Sequence, residues 1–232
     1  MQISIVTLFP QMFTGPFDHS MVKKSIDKNL AKIEFVNIRD FGRGKHKVVD
    51  DKPYGGGRGM ILRVDVLEKA INNTKNKNKA AKSQRVILLD PHGKTFNQKK
   101  AEEFSKLENL ILICGHYEGI DRRLDYFVDE KISIGDFIVS GGEIPAMLIT
   151  DAIIRLIKGS LSEEVTNIES FSPYLEYPQY TRPKVFKSYS VPTILLSGNH
   201  KKIGEWRKTV ALQYTMSYRP DLLVKSLRPT KD

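Results

Sequence analysis

Two short apolar runs, residues 85–89 and 110–114, constrain the fold of this chain more than any other feature. Each run is bounded by a turn that contains glycine, so each predicts a buried strand. Residues 97–107 between them have the apolar spacing of a helix, with Asn97 as its N-cap. Strands that are apolar on both faces and are joined by a helix are typical of a parallel sheet covered on both sides. The sequence therefore predicts an α/β fold.

Further elements extend this pattern in both directions along the chain. Alternating or continuous apolar residues predict strands over 3–9, 32–38 and 132–139, the last of them interrupted by Gly135. Helical spacing of apolar residues predicts helices over 18–29, 64–73 and 143–158, the last with Pro145 in its first turn. By the general rules for chain connections, these elements predict an open, unknotted sheet.

Three segments have no apolar period and predict loops. Residues 39–60 carry Gly42, Gly44 and a cluster of glycines, which indicates a long ordered or ligand-gated loop. Residues 72–83 are rich in lysine and asparagine, as expected for a solvated connector. Residues 159–180 are polar, then aromatic and proline-rich, and indicate a linker or lid.

The remaining residues predict a small helical module. Residues 201–214 have helical spacing with Asn199 as a cap, and residues 220–226 predict one or two further turns. The domain boundaries that we expect are 1–160 for an α/β domain, 161–179 for a flexible linker and 180–232 for a small all-helical domain.

Composition narrows the class of protein. The 232 residues include one cysteine, Cys114, so no internal disulfide and no cysteine-based zinc site is expected, and a reducing cytoplasm fits best. No apolar run approaches the roughly 18 to 20 residues of a membrane span, and the first ten residues predict a strand rather than a signal peptide. A net charge of +10 favours an anionic partner such as nucleic acid or a phosphorylated ligand. The same positive charge would also be found in a protein from an organism whose proteins are generally basic, or in one whose charge only maintains solubility.

Turns that contain glycine follow three of the predicted strands, at residues 89–93, 115–119 and 133–143. Ligands of open α/β sheets bind outside the carboxyl ends of the strands, so the three turns could enclose one small molecule. The alternative is that these glycines merely end strands. The chain has neither GxGxxG nor GxxxxGK[ST], so ordinary dinucleotide and P-loop sites are excluded. Neutral turns rich in backbone amides suit an adenosine-type ligand without a triphosphate, such as S-adenosylmethionine.

Five longer motifs resemble a known family. They are 49–60 (VDDKPYGGGRGM), 115–121 (GHYEGID), 133–136 with 140–145 (SIGD and SGGEIP), 180–183 (YTRP) and 196–200 (LSGNH). In this order they closely resemble the bacterial tRNA (guanine-N1)-methyltransferases, and the match runs nearly end to end.

The resemblance implies a SPOUT-class parallel sheet whose carboxyl-terminal part forms a trefoil knot, followed by a small helical domain, in an obligate homodimer. It implies methyl transfer from S-adenosylmethionine, bound in the knot, to N1 of the guanosine immediately 3′ of the anticodon, position 37 of the tRNA. The cofactor residues carried over to this sequence are Leu88, Leu89, Pro91, Gly115, Tyr117, Glu118, Gly119, Ser133, Ile134, Gly135, Asp136, Phe137, Ile138, Val139, Gly141, Gly142 and Pro145.

The resemblance also implies two catalytic side chains. The family uses an arginine late in the long helix, here Arg155, to stabilise negative charge near guanine O6. Its base is an aspartate two residues before a phenylalanine, and this chain departs from that pattern with Glu169. A glutamate has a similar intrinsic pKa, about 4.3 against 3.9, and can accept the same proton. Without the resemblance, we would interpret Glu169 as a solvated charge in the linker. We would interpret Arg155 as a residue of a buried helix whose long side chain extends its charged end into water.

RNA contacts and a metal ion are the last implications. The residues carried over for RNA are Asp51, Gly55, Gly56, Gly57, Arg58, Arg182, Ser197, Gly198, Asn199 and His200. Asp50 and Asp51 could bind Mg²⁺ or order the loop, and we assign no metal ligand.

His116 stands where many relatives carry arginine. Two alternative functions remain open. The chain could be a SPOUT methyltransferase that acts on ribosomal RNA, or a non-catalytic RNA-binding protein with the same fold.

Overall fold

The computed structural model describes residues 1–75, 83–166 and 168–226. The chain divides into two compact units, Met1–Leu161 and a second that begins at Ser162. The predicted connector over 72–83 lies in part outside the described residues. No helix in the described ranges is long and apolar enough to cross a bilayer.

The first unit contains a five-stranded sheet in which every pair of neighbours is parallel, in the order β2-β1-β6-β5-β7. Its strands are β1 (Gln2–Thr7), β2 (Lys32–Asn37), β5 (Gln84–Thr95), β6 (Asn109–Cys114) and β7 (Glu130–Ser133). Two further strands, β3 (Asp50–Asp51) and β4 (Ile61–Leu62), form a separate antiparallel pair. The predicted α/β fold with a parallel sheet is confirmed.

Helices and two apolar clusters cover both faces of this sheet. The helices are α1 (Ser20–Asp27), α2 (Val64–Thr74), α3 (Gln98–Ser105) and α4 (Glu143–Ile154). Along β6, Leu110 and Leu112 pack with α3 and α4, whereas Ile111 and Ile113 pack with α2. Each of these side chains is completely buried, and burial of one such side chain contributes about 1.5–3 kcal/mol. A central strand buried on both sides explains why its sequence is a continuous apolar run.

The ends of β5 and β7 differ from their predicted bounds. β5 continues past residue 89 to Thr95, and its register with β7 shifts between Leu89 and Lys94. The strand predicted over 132–139 ends instead at Ser133. Gly135 has φ +143°, a conformation that a strand does not accommodate, so the chain leaves the sheet at that point. The residues after β7 are therefore available to form a loop at the edge of the sheet.

Two other segments also contain more regular structure than predicted. The predicted loop 39–60 includes β3 and part of a 3₁₀ helix, Ile38–Phe41. The segment predicted as a linker contains α5 (Glu163–Thr166).

The second unit is mainly helical. Its long helix α6 (His200–Tyr218) begins one residue before the predicted start and ends four residues after the predicted end, and α7 (Pro220–Ser226) follows it. The side chain of Asn199 accepts a hydrogen bond of 3.1 Å from the Lys202 N–H, as expected for the N-cap. A two-stranded antiparallel ladder, β8 (Val185–Phe186) with β9 (Tyr189–Ser190), departs from the expected all-helical domain.

Candidate functional site

A cavity of about 590 Å³ lies at the carboxyl ends of β6 and β7 and beside the register shift within β5, entirely within the first unit. Its lining consists of residues 88–92 of β5, residues 115–122 after β6 with Asp125, residues 131–135 and 137–142 around the end of β7, and Pro145 of α4. All of the residues assigned to the cofactor from sequence lie in this lining except Asp136, which is exposed outside it. Residues from all three predicted glycine-containing turns are thus brought together around a single space, but the segment 89–93 lies within β5 and is not a turn.

Gly142 permits the closest approach in the cavity wall. Its N–H donates a hydrogen bond of 2.8 Å to the carbonyl of Gly115, which joins the start of α4 to the end of β6. A Cβ at position 142 would lie 2.6 Å from the Cα of Cys114 and 2.8 Å from the N of Gly115. Both are backbone atoms at the end of a buried strand, so only glycine fits there.

The glycine-rich loop 55–59 is connected to the same cavity through β4. The Glu118 N–H donates to the carbonyl of Met60 at 3.1 Å, and Leu62 exchanges backbone hydrogen bonds of 3.0 Å with Gly119 and Asp121. Arg58 is exposed on this loop. Movement of the loop would therefore be transmitted to the 118–121 part of the cavity wall.

Charged residues along one side of the cavity were not selected from sequence. Lys131 lies 2.6 Å from the carboxylate of Asp125 and 3.8 Å from that of Asp90. Partial burial raises the pKa of Asp90, but hydrogen bonds from the His92 N–H and ring, with the charge of Lys131, outweigh it and hold that pKa below its usual value. These residues come from β5, a 3₁₀ turn and β7, so no local pattern in the sequence could have joined them.

The two side chains assigned to catalysis lie in different units. Arg155 caps the C-terminus of α4 in the first unit. Glu169 lies in a turn of the second unit, where its carbonyl accepts a hydrogen bond of 3.2 Å from the Ser172 N–H. Both side chains are half-buried.

The residues assigned to RNA fall into two groups, 51–58 in the first unit and 182–200 in the second. The Asp51 carboxylate pairs with Arg63 at 2.7 Å. Ser197 and Asn199 make local hydrogen bonds at the start of α6, whereas Arg182 and His200 are exposed. Among the described side chains, no group of three or more His, Cys, Asp or Glu could hold a metal ion. The suggestion that Asp50 and Asp51 bind Mg²⁺ is therefore not supported.

Comparison with known proteins gives one consistent result. A family model described as tRNA (Guanine-1)-methyltransferase TrmD matches residues 1–225. A protein of Dictyoglomus turgidum named tRNA (guanine-N(1)-)-methyltransferase is 50% identical over 234 residues, which cover 100% of this chain and 94% of the relative. Proteins of the same name from Carboxydothermus hydrogenoformans and Bacillus pumilus are 52% and 48% identical over 226 residues, with 96% of this chain and 87% and 92% of the relatives covered. The chain therefore belongs to the TrmD family of tRNA (guanine-1)-methyltransferases.

Proposed function

We propose that this chain transfers a methyl group from S-adenosylmethionine to N1 of the guanosine immediately 3′ of the anticodon in tRNA. Membership of the TrmD family supports the reaction and the tRNA substrate. The single structural observation that carries the proposal is the cavity in which two family motifs, 115–121 and 133–136 with 140–145, meet residues 88–92 of β5. The cytoplasm, where tRNA is modified, is the compartment that this function implies.

The chemistry of the cavity fits S-adenosylmethionine. Its volume of about 590 Å³ lies within the usual range for small-molecule sites. Leu88, Leu89 and Ile132 contribute apolar surface for an adenine ring, and the turn 115–119 and the segment 133–142 contribute backbone amides and carbonyls. When bound, this cofactor supplies an electrophilic methyl group on a sulfonium.

The protein must remove the N1 proton of guanine and stabilise the charge that develops on O6. Glu169 would accept the proton as a carboxylate, and Arg155 would donate hydrogen bonds to O6. The extra methylene of glutamate relative to aspartate changes the reach of the base but not its chemistry. The second unit, with the basic and exposed Arg182 and the start of α6, would contact the anticodon stem, and the 161–179 segment would act as a flexible linker.

We also propose the family's homodimer and trefoil knot. Pro145 of α4 lines the cavity, and Arg155 is ten residues farther along the same helix, about 15 Å away along its axis. This separation is too large for one arginine side chain to span, so a second copy would supply Arg155 to each cavity. Exposed apolar residues near the cavity support such a contact: Ile138 is 85% exposed and Ile144 of α4 is 52% exposed. The return of the chain from the edge strand β7 to Gly115 at the end of β6 supports the knot.

Transfer of labelled methyl groups from S-adenosylmethionine to unmodified tRNA tests the function. We expect Glu169→Gln and Arg155→Ala to abolish transfer while cofactor binding by calorimetry persists. Glu102→Gln, which neutralises an exposed carboxylate on α3, is the matched control and should transfer at the wild-type rate. Labelling of ribosomal RNA instead of tRNA would favour the ribosomal alternative, and no labelling with retained RNA binding would favour the non-catalytic one.

Complementation between chains tests the dimer. Co-expression of Arg155→Ala with the cavity variant Tyr117→Ala should restore about a quarter of wild-type activity, because half of randomly paired dimers are hybrids with one intact site each. Two inactive parents that give no activity when mixed would refute a site shared between copies.

A further inference from the structure

A buried polar pair lies behind the wall of the cavity. Glu143, the first residue of α4, is only 1% exposed. Its Oε1 accepts a hydrogen bond of 2.7 Å from the hydroxyl of Thr7 at the end of β1. Its Oε2 lies 3.8 Å from Nδ1 of His116, and neither of these two buried atoms has a hydrogen-bond partner among the residues that the structure describes. One oxygen of the buried carboxyl group is thus hydrogen-bonded, whereas the other faces an imidazole nitrogen that also has no hydrogen bond.

Two buried unsatisfied polar atoms facing each other are costly unless they can bond to one another. The separation of 3.8 Å is about 1 Å longer than a hydrogen bond, and active-site hydrogen bonds are often long before the ligand binds. Gly141 keeps the space between them open: a Cβ there would lie 2.6 Å from the His116 Nδ1 and would also collide with the Glu143 Oε2. Gly141 therefore leaves room for the two side chains to close on each other.

The surroundings are consistent with a negative charge on Glu143. Its position in the first turn of α4 is one at which the helix dipole favours a carboxylate. The Thr7 hydroxyl accepts from the Phe9 N–H at 3.0 Å, so its proton is directed to Glu143.

His116 transmits this arrangement to the cavity. It lines the cavity, and its ring packs edge-on against Phe9, with centroids 4.8 Å apart, and against Tyr117, with centroids 5.0 Å apart. The carbonyl of His116 accepts a hydrogen bond of 3.2 Å from the Gly119 N–H, which closes the turn 115–119. Tyr117 has φ +58°, an unfavourable conformation for a residue with a side chain, so this turn needs support from its neighbours.

We infer that Glu143, oriented by Thr7, is a positioning residue that accepts a hydrogen bond from Nδ1–H of His116 and so fixes the turn 115–119 for cofactor binding. The inference rests on the proposed function for the identity of the cofactor. An imidazole whose Nδ1–H is held by a carboxylate has one defined tautomer and one ring orientation. The Thr7–Glu143–His116 chain links β1, α4 and the turn after β6.

Glu143→Gln tests the inference because it removes the charge and keeps an oxygen for Thr7. We expect the variant to be as stable as wild type or more stable, because a buried charge is costly. Its dissociation constant for S-adenosylmethionine should nevertheless rise about tenfold, which corresponds to loss of one hydrogen bond to a charged group. The kcat at saturating cofactor should stay within about twofold, since the substitution acts on cofactor binding.

Thr7→Val provides a second variant, which should weaken cofactor binding in the same direction. Thr150→Val is the matched control: Thr150 is a buried threonine of α4 whose hydroxyl has no partner in the described part of the chain. Its cofactor affinity should equal that of wild type. An equal loss in Thr150→Val, or wild-type affinity in both Glu143→Gln and Thr7→Val, would overturn the inference.

The tautomer of His116 gives a readout that does not depend on activity. In ¹⁵N-histidine NMR spectra of the five histidines, the signals that disappear in His116→Gln should be those of an imidazole that carries its proton on Nδ1. The same signal should change tautomer in Glu143→Gln. A His116 with its proton on Nε2 in the wild-type protein refutes the inference. A wild-type protein that neither binds nor transfers from S-adenosylmethionine refutes instead the proposed function.

Discussion

Gly142→Ala is the substitution whose effect follows most directly from the geometry of the site. The added Cβ would lie 2.6 Å from the Cα of Cys114 and 2.8 Å from the N of Gly115, whereas carbon atoms normally approach to about 3.5–4.0 Å. Those atoms end β6, which is completely buried in the centre of the sheet, so they cannot move away. The start of α4 must therefore shift by about 1 Å.

The expected cost combines two effects. Overpacking in a dense interior costs about 1–3 kcal/mol, and weakening the 2.8 Å hydrogen bond from Gly142 to Gly115 costs about 1 kcal/mol more. The sum of about 2–4 kcal/mol lowers the melting temperature of a chain of this size by about 4–16 °C. Cofactor binding should weaken as well, because residues 141–142 form part of the cavity wall.

Thermal unfolding followed by circular dichroism, with calorimetric titration of S-adenosylmethionine, measures both effects. Gly204→Ala is the matched control, since a Cβ at this position in α6 meets no atom within 4 Å. It should leave the protein as stable as before or add up to about 1 kcal/mol, because alanine is favoured over glycine within a helix. A Gly142→Ala protein that melts within about 1 °C of wild type and binds cofactor normally would refute the steric reasoning.

Three other substitutions test separate parts of the structure. Leu112→Ala leaves a cavity at a completely buried position of β6 and should cost about 2–5 kcal/mol in urea unfolding; a loss below about 1 kcal/mol would contradict the packing described. Asn97→Ala removes the side chain that accepts from the Lys100 N–H at 3.0 Å, so it should cost about 1 kcal/mol without changing methyl transfer by the folded enzyme. Asp90 has a pKa below its usual 3.8 in the folded protein, so its ionised form stabilises the fold above that pH and this contribution disappears as the pH falls through the folded value. Asp90→Asn should therefore be less stable than wild type in unfolding measurements at neutral pH, and the difference should vanish in strong acid.

The sequence predicted helices and strands best where the interactions that form them involve residues close together in the chain. The caps at Asn97 and Asn199 were found because an asparagine just before an apolar period satisfies N–H groups only a few residues away. The strands around 85–89 and 110–114 were found because both of their faces are buried, which leaves a continuous apolar run. The strand over 132–139 was predicted too long because Phe137 and Ile138 are apolar, although both are exposed beyond the end of β7.

Long-range features could not be predicted in this way. The hydrogen bond between Thr7 and Glu143 joins residues 136 positions apart, and no periodicity in the sequence relates them. In the sequence, Glu143 is only the first residue of the helix predicted over 143–158, and nothing local relates it to Thr7 or His116. Lys131 and Asp125 likewise belong to a charged group that only the fold assembles. The resemblance supplied the cavity residues, but it said nothing of the polar contacts that support them.

The strand order explains why the cavity lies at β5, β6 and β7. These three strands are neighbours in the sheet and are all parallel, so the turns that follow β6 and β7 leave the same edge, beside the register shift within β5. β1 lies on the other side of β6 and contributes Thr7 from behind the wall rather than a residue of the lining. Helix α4 starts at this edge with Gly142 and Glu143 and runs away from it to Arg155. One helix thus supports the cavity of its own chain at one end and carries the predicted catalytic arginine at the other, as it would in the proposed homodimer, where each copy completes the site of its partner.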